Sequence, residues 1–78
     1  MPKSKLTPGQ IVRQRRTELG MSLERLAVTA DVSSATLGRL ERVDVLPKHE
    51  LVLRIAYVLG IPATDLYAAA SPVARAAS

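Results

Sequence analysis

The stretch Ser22-Leu23-Glu24-Arg25-Leu26-Ala27-Val28-Thr29-Ala30-Asp31-Val32-Ser33-Ser34-Ala35-Thr36-Leu37-Gly38-Arg39-Leu40-Glu41-Arg42 decides the fold. Two short helical patterns meet in it. Ser22 is an N-cap type residue, and Glu24 puts a negative charge in the first turn, where the helix dipole favours it. Leu23, Leu26, Ala27 and Ala30 follow at helical spacing, and the pattern stops near Asp31. Ser33 is a second N-cap type, and Leu37 and Leu40 mark the inner side of a helix running to about Arg42.

With only about three residues between them, the two helices must cross at a steep angle. Small residues are then needed where they touch, and Ala27 and Ala30 supply them. Val32 supplies an apolar plug for the turn, and Leu37 and Leu40 return apolar surface on the inner face. Leu26, Ala27, Ala30, Val32, Leu37 and Leu40 together match the helix-turn-helix mask in one register.

Working outward, three more helices are expected. The first opens at Thr7-Pro8-Gly9-Gln10, with Thr7 as N-cap, Pro8 in the first turn and Gln10 completing a capping box. Ile11, Val12, Arg15 and Leu19 give it a mixed face, and Gly20 stops it. After an irregular stretch closed by Pro47, a fourth helix spans roughly Lys48 to Leu59, with Leu51, Ile55, Val58 and Leu59 in one stripe and Gly60 as its cap. Pro62 leads into a short fifth helix carrying Leu66 and Tyr67. No segment alternates with period two, so the expected fold class is all-α, with five helices. The expected layout is a flexible basic arm over 1–6, the folded domain over 7–69 and an Ala-rich, frayed tail over 70–78.

At 78 residues the chain supports one domain, and without Cys it has neither disulfides nor thiolate metal ligands. Phe and Trp are absent, so Leu, Val, Ile and Ala must form the core. No apolar run approaches the roughly 18 residues of a membrane span, and Met1-Pro2-Lys3-Ser4-Lys5 has no apolar stretch after its basic residues. A cytoplasmic location is expected. Residues 1–42 carry eight basic against four acidic side chains, and residues 43–78 carry three against three. The whole net charge of +4 therefore lies in the first part, which is the footprint of a face for a polyanion.

These residues resemble the Cro/CI-like helix-turn-helix family of phage repressors and bacterial regulators. The resemblance is carried by Ile11-Val12-Arg13-Gln14-Arg15-Arg16, Gly20-Met21-Ser22, Leu26-Ala27, Asp31-Val32-Ser33, Leu37, Leu40-Glu41-Arg42, Pro47 and Ile55-Ala56-Tyr57-Val58-Leu59-Gly60-Ile61-Pro62, and it covers about residues 7–67. It implies a compact five-helix, lambda-repressor-like DNA-binding domain that acts as a homodimer on double-stranded operator DNA. The third helix would lie in the major groove, with Ser34, Ala35, Thr36, Gly38 and Arg39 toward the bases. Their chemistry agrees: Arg39 suits guanine, Ala35 a thymine methyl, and Ser34 and Thr36 either base or phosphate. Phosphate contacts are expected from Arg13, Arg42, Ser22 and the backbone amide of Leu23, at the start of the second helix. Arg15, Arg25 and Lys48 read equally well as solvated surface. The resemblance also implies an internal salt bridge between Arg16 and Glu41.

Three departures stand out. Leu23 replaces a Gln that the family often uses at the helix start, Asp31 replaces a Gly in the turn, and Val43 replaces the usual Gly after the third helix. Asp tolerates the left-handed conformation, whereas a β-branched residue avoids it, so the third helix is expected to end differently. Val43, Val45 and Leu46 are unusually apolar for a loop that the resemblance places near DNA and the dimer interface, which suggests a subunit contact. Leu66 and Tyr67 could form the dimer seam or finish the core.

Other functions fit less well. His49 is the only histidine, no nucleophile has a base placed beside it, and Gly9, Gly20, Gly38 and Gly60 form no phosphate loop, so neither an enzyme nor a metal site is expected. No cofactor and no small-molecule ligand is implied. The alternative is a protein-interaction or antitoxin-like module that keeps the fold with weak or no DNA binding.

Overall fold

Three hydroxyl side chains start the first three helices. In a computed structural model describing residues 6–70, Thr7 Oγ1, Ser22 Oγ and Ser33 Oγ each accept a hydrogen bond from the backbone N–H three residues on, at 3.2, 3.0 and 3.0 Å. Gln10 Oε1 accepts from the Thr7 N–H in return, completing the capping box. The helices are α1 (Pro8–Glu18), α2 (Leu23–Ala30), α3 (Ser34–Val43), α4 (His49–Leu59) and α5 (Ala63–Ala70). No strand occurs among the described residues. α5 extends to Ala70, the last described residue. The rest of the expected arm and tail lies outside the described residues.

Left-handed residues end α2 and α3, and neither is glycine. Asp31 takes φ 60° and Asp44 takes φ 62°. Val43 stays helical, because its branched Cβ is excluded from that region, and the turn moves to Asp44.

The core is aliphatic: Val12, Leu26, Leu37, Leu40, Val52, Ile55, Leu59 and Leu66 are fully buried, with Ala27, Ala30 and Ala56 between them. α2 packs on α3 and α4, while α1 packs on α3 and α5. Val32 sits half-buried against this core in the α2–α3 turn, and Ala27 and Ala30 let the helices approach. Leu66 corrects the dimer-seam reading. It is sealed inside the single chain and attaches α5 to the core, leaving it no surface for a partner. Leu46 also packs partly against the core, while Val43 and Val45 remain 55% and 44% exposed.

One close approach fixes α3 against α1. The Gly9 N–H, in the first turn of α1, donates to Asp44 Oδ1 at 3.0 Å. A carboxylate there also meets the positive end of the α1 dipole. A Cβ at Gly9 would lie 2.7 Å from Asp44 Oδ1 and 2.9 Å from the Glu41 carbonyl oxygen, with the Leu40 oxygen closer still. Only glycine fits this joint.

Candidate nucleic-acid interface

Arginines sort into those that hold the motif and those left on its surface. Arg16 on α1 and Glu41 on α3 form a bidentate pair, with Nε to Oε2 at 2.8 Å and Nη2 to Oε1 at 3.0 Å. Both side chains are largely buried, at 15% and 7% exposed. Nη1 of Arg16 also donates to the Met21 carbonyl at 2.9 Å. One guanidinium thereby ties α1, α3 and the residue before the Ser22 cap. The hydrogen bond to the Glu41 carboxylate holds the Arg16 pKa above its ordinary value, although burial opposes it.

Two further clamps were not legible in the sequence. Arg54 on α4 donates to the Asp31 carbonyl at 3.0 Å and to Glu50 Oε2 at 2.9 Å, and its Nη1 lies 3.5 Å from Asp31 Oδ2. It therefore braces the left-handed turn between α2 and α3 from outside the motif. Arg15 donates through Nε to the Leu59 carbonyl at 2.8 Å, capping the end of α4, and pairs with Glu18 at 3.2 Å. It is a structural side chain rather than solvated surface. The only local signals were a basic residue on a mixed helix face and an Asp at a turn.

The outward side of α3 carries Ser34, Ala35 and Arg39, all exposed. Thr36 is half-buried, and its Oγ1 accepts from the Ser33 hydroxyl at 2.8 Å. Gly38 departs from the expected strip. It is buried, because the Arg42 side chain folds back over it. Ser22 is exposed, with its oxygen occupied as the acceptor from Arg25 N, while the Leu23 side chain turns half-buried against the core. The Ser22 O–H and the Leu23 backbone N–H then remain to offer donors. Arg13, Arg25, Arg39, Arg42 and Lys48 are exposed, and no carboxylate among the described residues pairs with them. Thr36, Arg39, Val45, Pro47, Lys48 and Leu51 border a groove between α3 and the start of α4. At the start of α4 the His49 ring lies 2.7 Å from the Tyr67 hydroxyl on α5. No group of metal-ligating side chains occurs among the described residues.

This arrangement is that of a helix-turn-helix protein, and comparison with known proteins agrees. A family model described as a helix-turn-helix domain matches residues 9–70. The fold is similar to the N-terminal DNA-binding domain of SinR from Bacillus subtilis, at 32% identity over 76% of this chain and 87% of that one, with a TM-score of 0.71. It is similar to the restriction-modification controller protein C.AhdI from Aeromonas hydrophila, at 29% identity over 80% of this chain and 94% of that one, with a TM-score of 0.69. The clp gene regulator ClgR from C. glutamicum also matches, at 28% identity over 91% of this chain and 92% of that one, with a TM-score of 0.66. No curated protein sequence matches significantly. The chain belongs to the helix-turn-helix domain family, in its Cro/CI-like class of DNA-binding regulators, which is not a class of enzymes. No helix among the described residues is long and apolar enough to cross a membrane.

Proposed function

We propose that the chain is a cytoplasmic, sequence-specific transcriptional repressor that binds a roughly palindromic operator as a homodimer. The observation that carries this reading is the division among the cations. Arg15, Arg16 and Arg54 are consumed in bracing the motif, while Arg39 and Arg42 stand unpaired on the outward side of α3. Arg39 reads a guanine edge, with Ser34, Ala35 and Thr36 beside it. Arg13, Ser22, the Leu23 amide and, across the groove, Lys48 hold phosphates. In a dimer two α3 helices would enter successive major grooves about 34–36 Å apart, and the bound pair would exclude polymerase from a promoter.

An Arg39→Ala variant tests the reading by fluorescence anisotropy on a labelled duplex carrying the bound sequence. Affinity for that duplex falls about 5- to 150-fold, the range for losing one bidentate base contact. Affinity for an unrelated duplex falls far less. A protein-only module of the same fold would bind neither duplex, nor show the steep salt dependence of phosphate contacts.

The subunit contact is assigned to Val43, Val45 and the exposed edge of Leu46, with Tyr67 as a further exposed candidate. Val45→Ser is a cleaner test than Leu46→Ser, because Leu46 also packs on the core. The expected result by analytical ultracentrifugation is a shift toward monomer with the melting temperature of the monomer unchanged. An unaltered monomer–dimer equilibrium would remove this assignment.

A further inference from the structure

Gly38 sits mid-helix, where glycine is a poor choice, and the fold gives no reason for it. It does not adopt a positive φ, unlike Gly20 and Gly60. No backbone approaches it, unlike Gly9: outside its own helix backbone and chain neighbours, a Cβ there would meet only the Arg42 side chain, with Nη1 at 2.8 Å and Cζ at 3.7 Å. The Arg42 guanidinium thus lies one turn back along α3, against the bare Gly38 backbone. This is the direction in which long helical side chains point. Ala35, Arg39 and Arg42 share one face of α3 by their spacing of four and three residues.

We propose that Gly38 is a positioning residue for Arg42: its missing side chain seats the guanidinium along the outward face of α3, so that Arg42 reads a base edge instead of holding a phosphate. The reading rests on the DNA-binding role proposed above and revises the phosphate contact expected of Arg42. The chemistry fits a guanine, whose O6 and N7 accept a guanidinium fork in the major groove. Arg42 then forms a second reader beside Arg39, and Gly38 limits what else can stand between them.

The test takes the unaltered chain, Gly38→Ala, Arg42→Ala and the double variant through selection of duplexes from a random-sequence pool. Each protein is also titrated with salt on one duplex of arbitrary sequence and melted thermally. Gly38→Ala is expected to melt about 4 °C or more higher, because Ala is the better helix residue and its Cβ displaces only the tip of a flexible side chain. Binding to the arbitrary duplex and its salt slope stay as in the unaltered chain. Preference for the base that Arg42→Ala ceases to select falls about tenfold, and the double variant loses no more. A gain in stability with a loss of selectivity is not what a purely structural role produces. If Arg42→Ala leaves the selected sequence unchanged and weakens all duplexes equally, with a shallower salt slope, Arg42 is a phosphate contact and the proposal is wrong. If Gly38→Ala keeps the full preference, the seat has no role and the proposal is wrong. Failure of the unaltered chain to bind any duplex would overturn the DNA-binding reading itself, before the variants are compared.

Discussion

Replacing Glu41 with Ala lowers the melting temperature by roughly 12 °C or more, through a loss of about 3 kcal/mol, the lower end for breaking a buried ion pair. The magnitude follows from what is left behind. Arg16 would keep its position between α1 and α3 with no carboxylate for Nε and Nη2, retaining only the Met21 carbonyl. An unpaired charge at a site only 15% exposed is costly. Replacing both partners by apolar residues of similar size, as in Arg16→Met with Glu41→Leu, recovers much of the loss, because no charge remains to be desolvated. Circular dichroism melts of both variants beside the unaltered chain check this. A Glu41→Ala variant that melted with the unaltered chain would show that the pair contributes nothing.

Gly9→Ala is the second large effect, a destabilisation of about 2–3 kcal/mol from a single added methyl. Its Cβ would be driven into the Leu40 and Glu41 carbonyl oxygens, which are backbone and cannot rotate away. Relief would require α1 to lift from α3, breaking the Gly9–Asp44 hydrogen bond and stretching the Arg16–Glu41 pair. The same substitution at Gly38 is expected to act with opposite sign. What the new methyl meets decides the direction: backbone oxygens at Gly9, the end of an arginine at Gly38. Equal stability changes for the two variants in urea denaturation would contradict this account of the α1–α3 joint.

Features encoded by near neighbours were legible in the sequence. The caps Thr7, Ser22 and Ser33, and the turn residues Ala27, Ala30 and Val32, act on residues three or four positions away or on a pattern with a fixed period. The bracing was not legible, because its partners are far apart in sequence. Gly9 meets Asp44, Arg15 meets Leu59, and Arg54 meets Asp31 only after the helices pack. Asp44 lies in the stretch before Pro47 that read only as irregular, yet it both ends α3 in the left-handed conformation and caps α1. Two signals pointed that way: Val43 cannot take positive φ whereas the Asp beside it can, and a glycine in a helix's first turn hints at close approach. Leu66 and Tyr67 are adjacent on α5, so composition could not separate them. The helical period does, turning Leu66 into the core and leaving Tyr67 37% exposed beside His49. Gly38 is the reverse case, since the resemblance to the family placed it on the outward strip and only the path of the Arg42 side chain shows that it is covered.

Selection of bound duplexes from a random pool at low salt tests the central claim most directly. The account predicts enrichment of one consensus with two inverted half-sites about one helical turn apart, guanine at the position governed by Arg39, and loss of enrichment as salt rises. A pool that remains random after repeated rounds at low salt, with the protein folded, would contradict it.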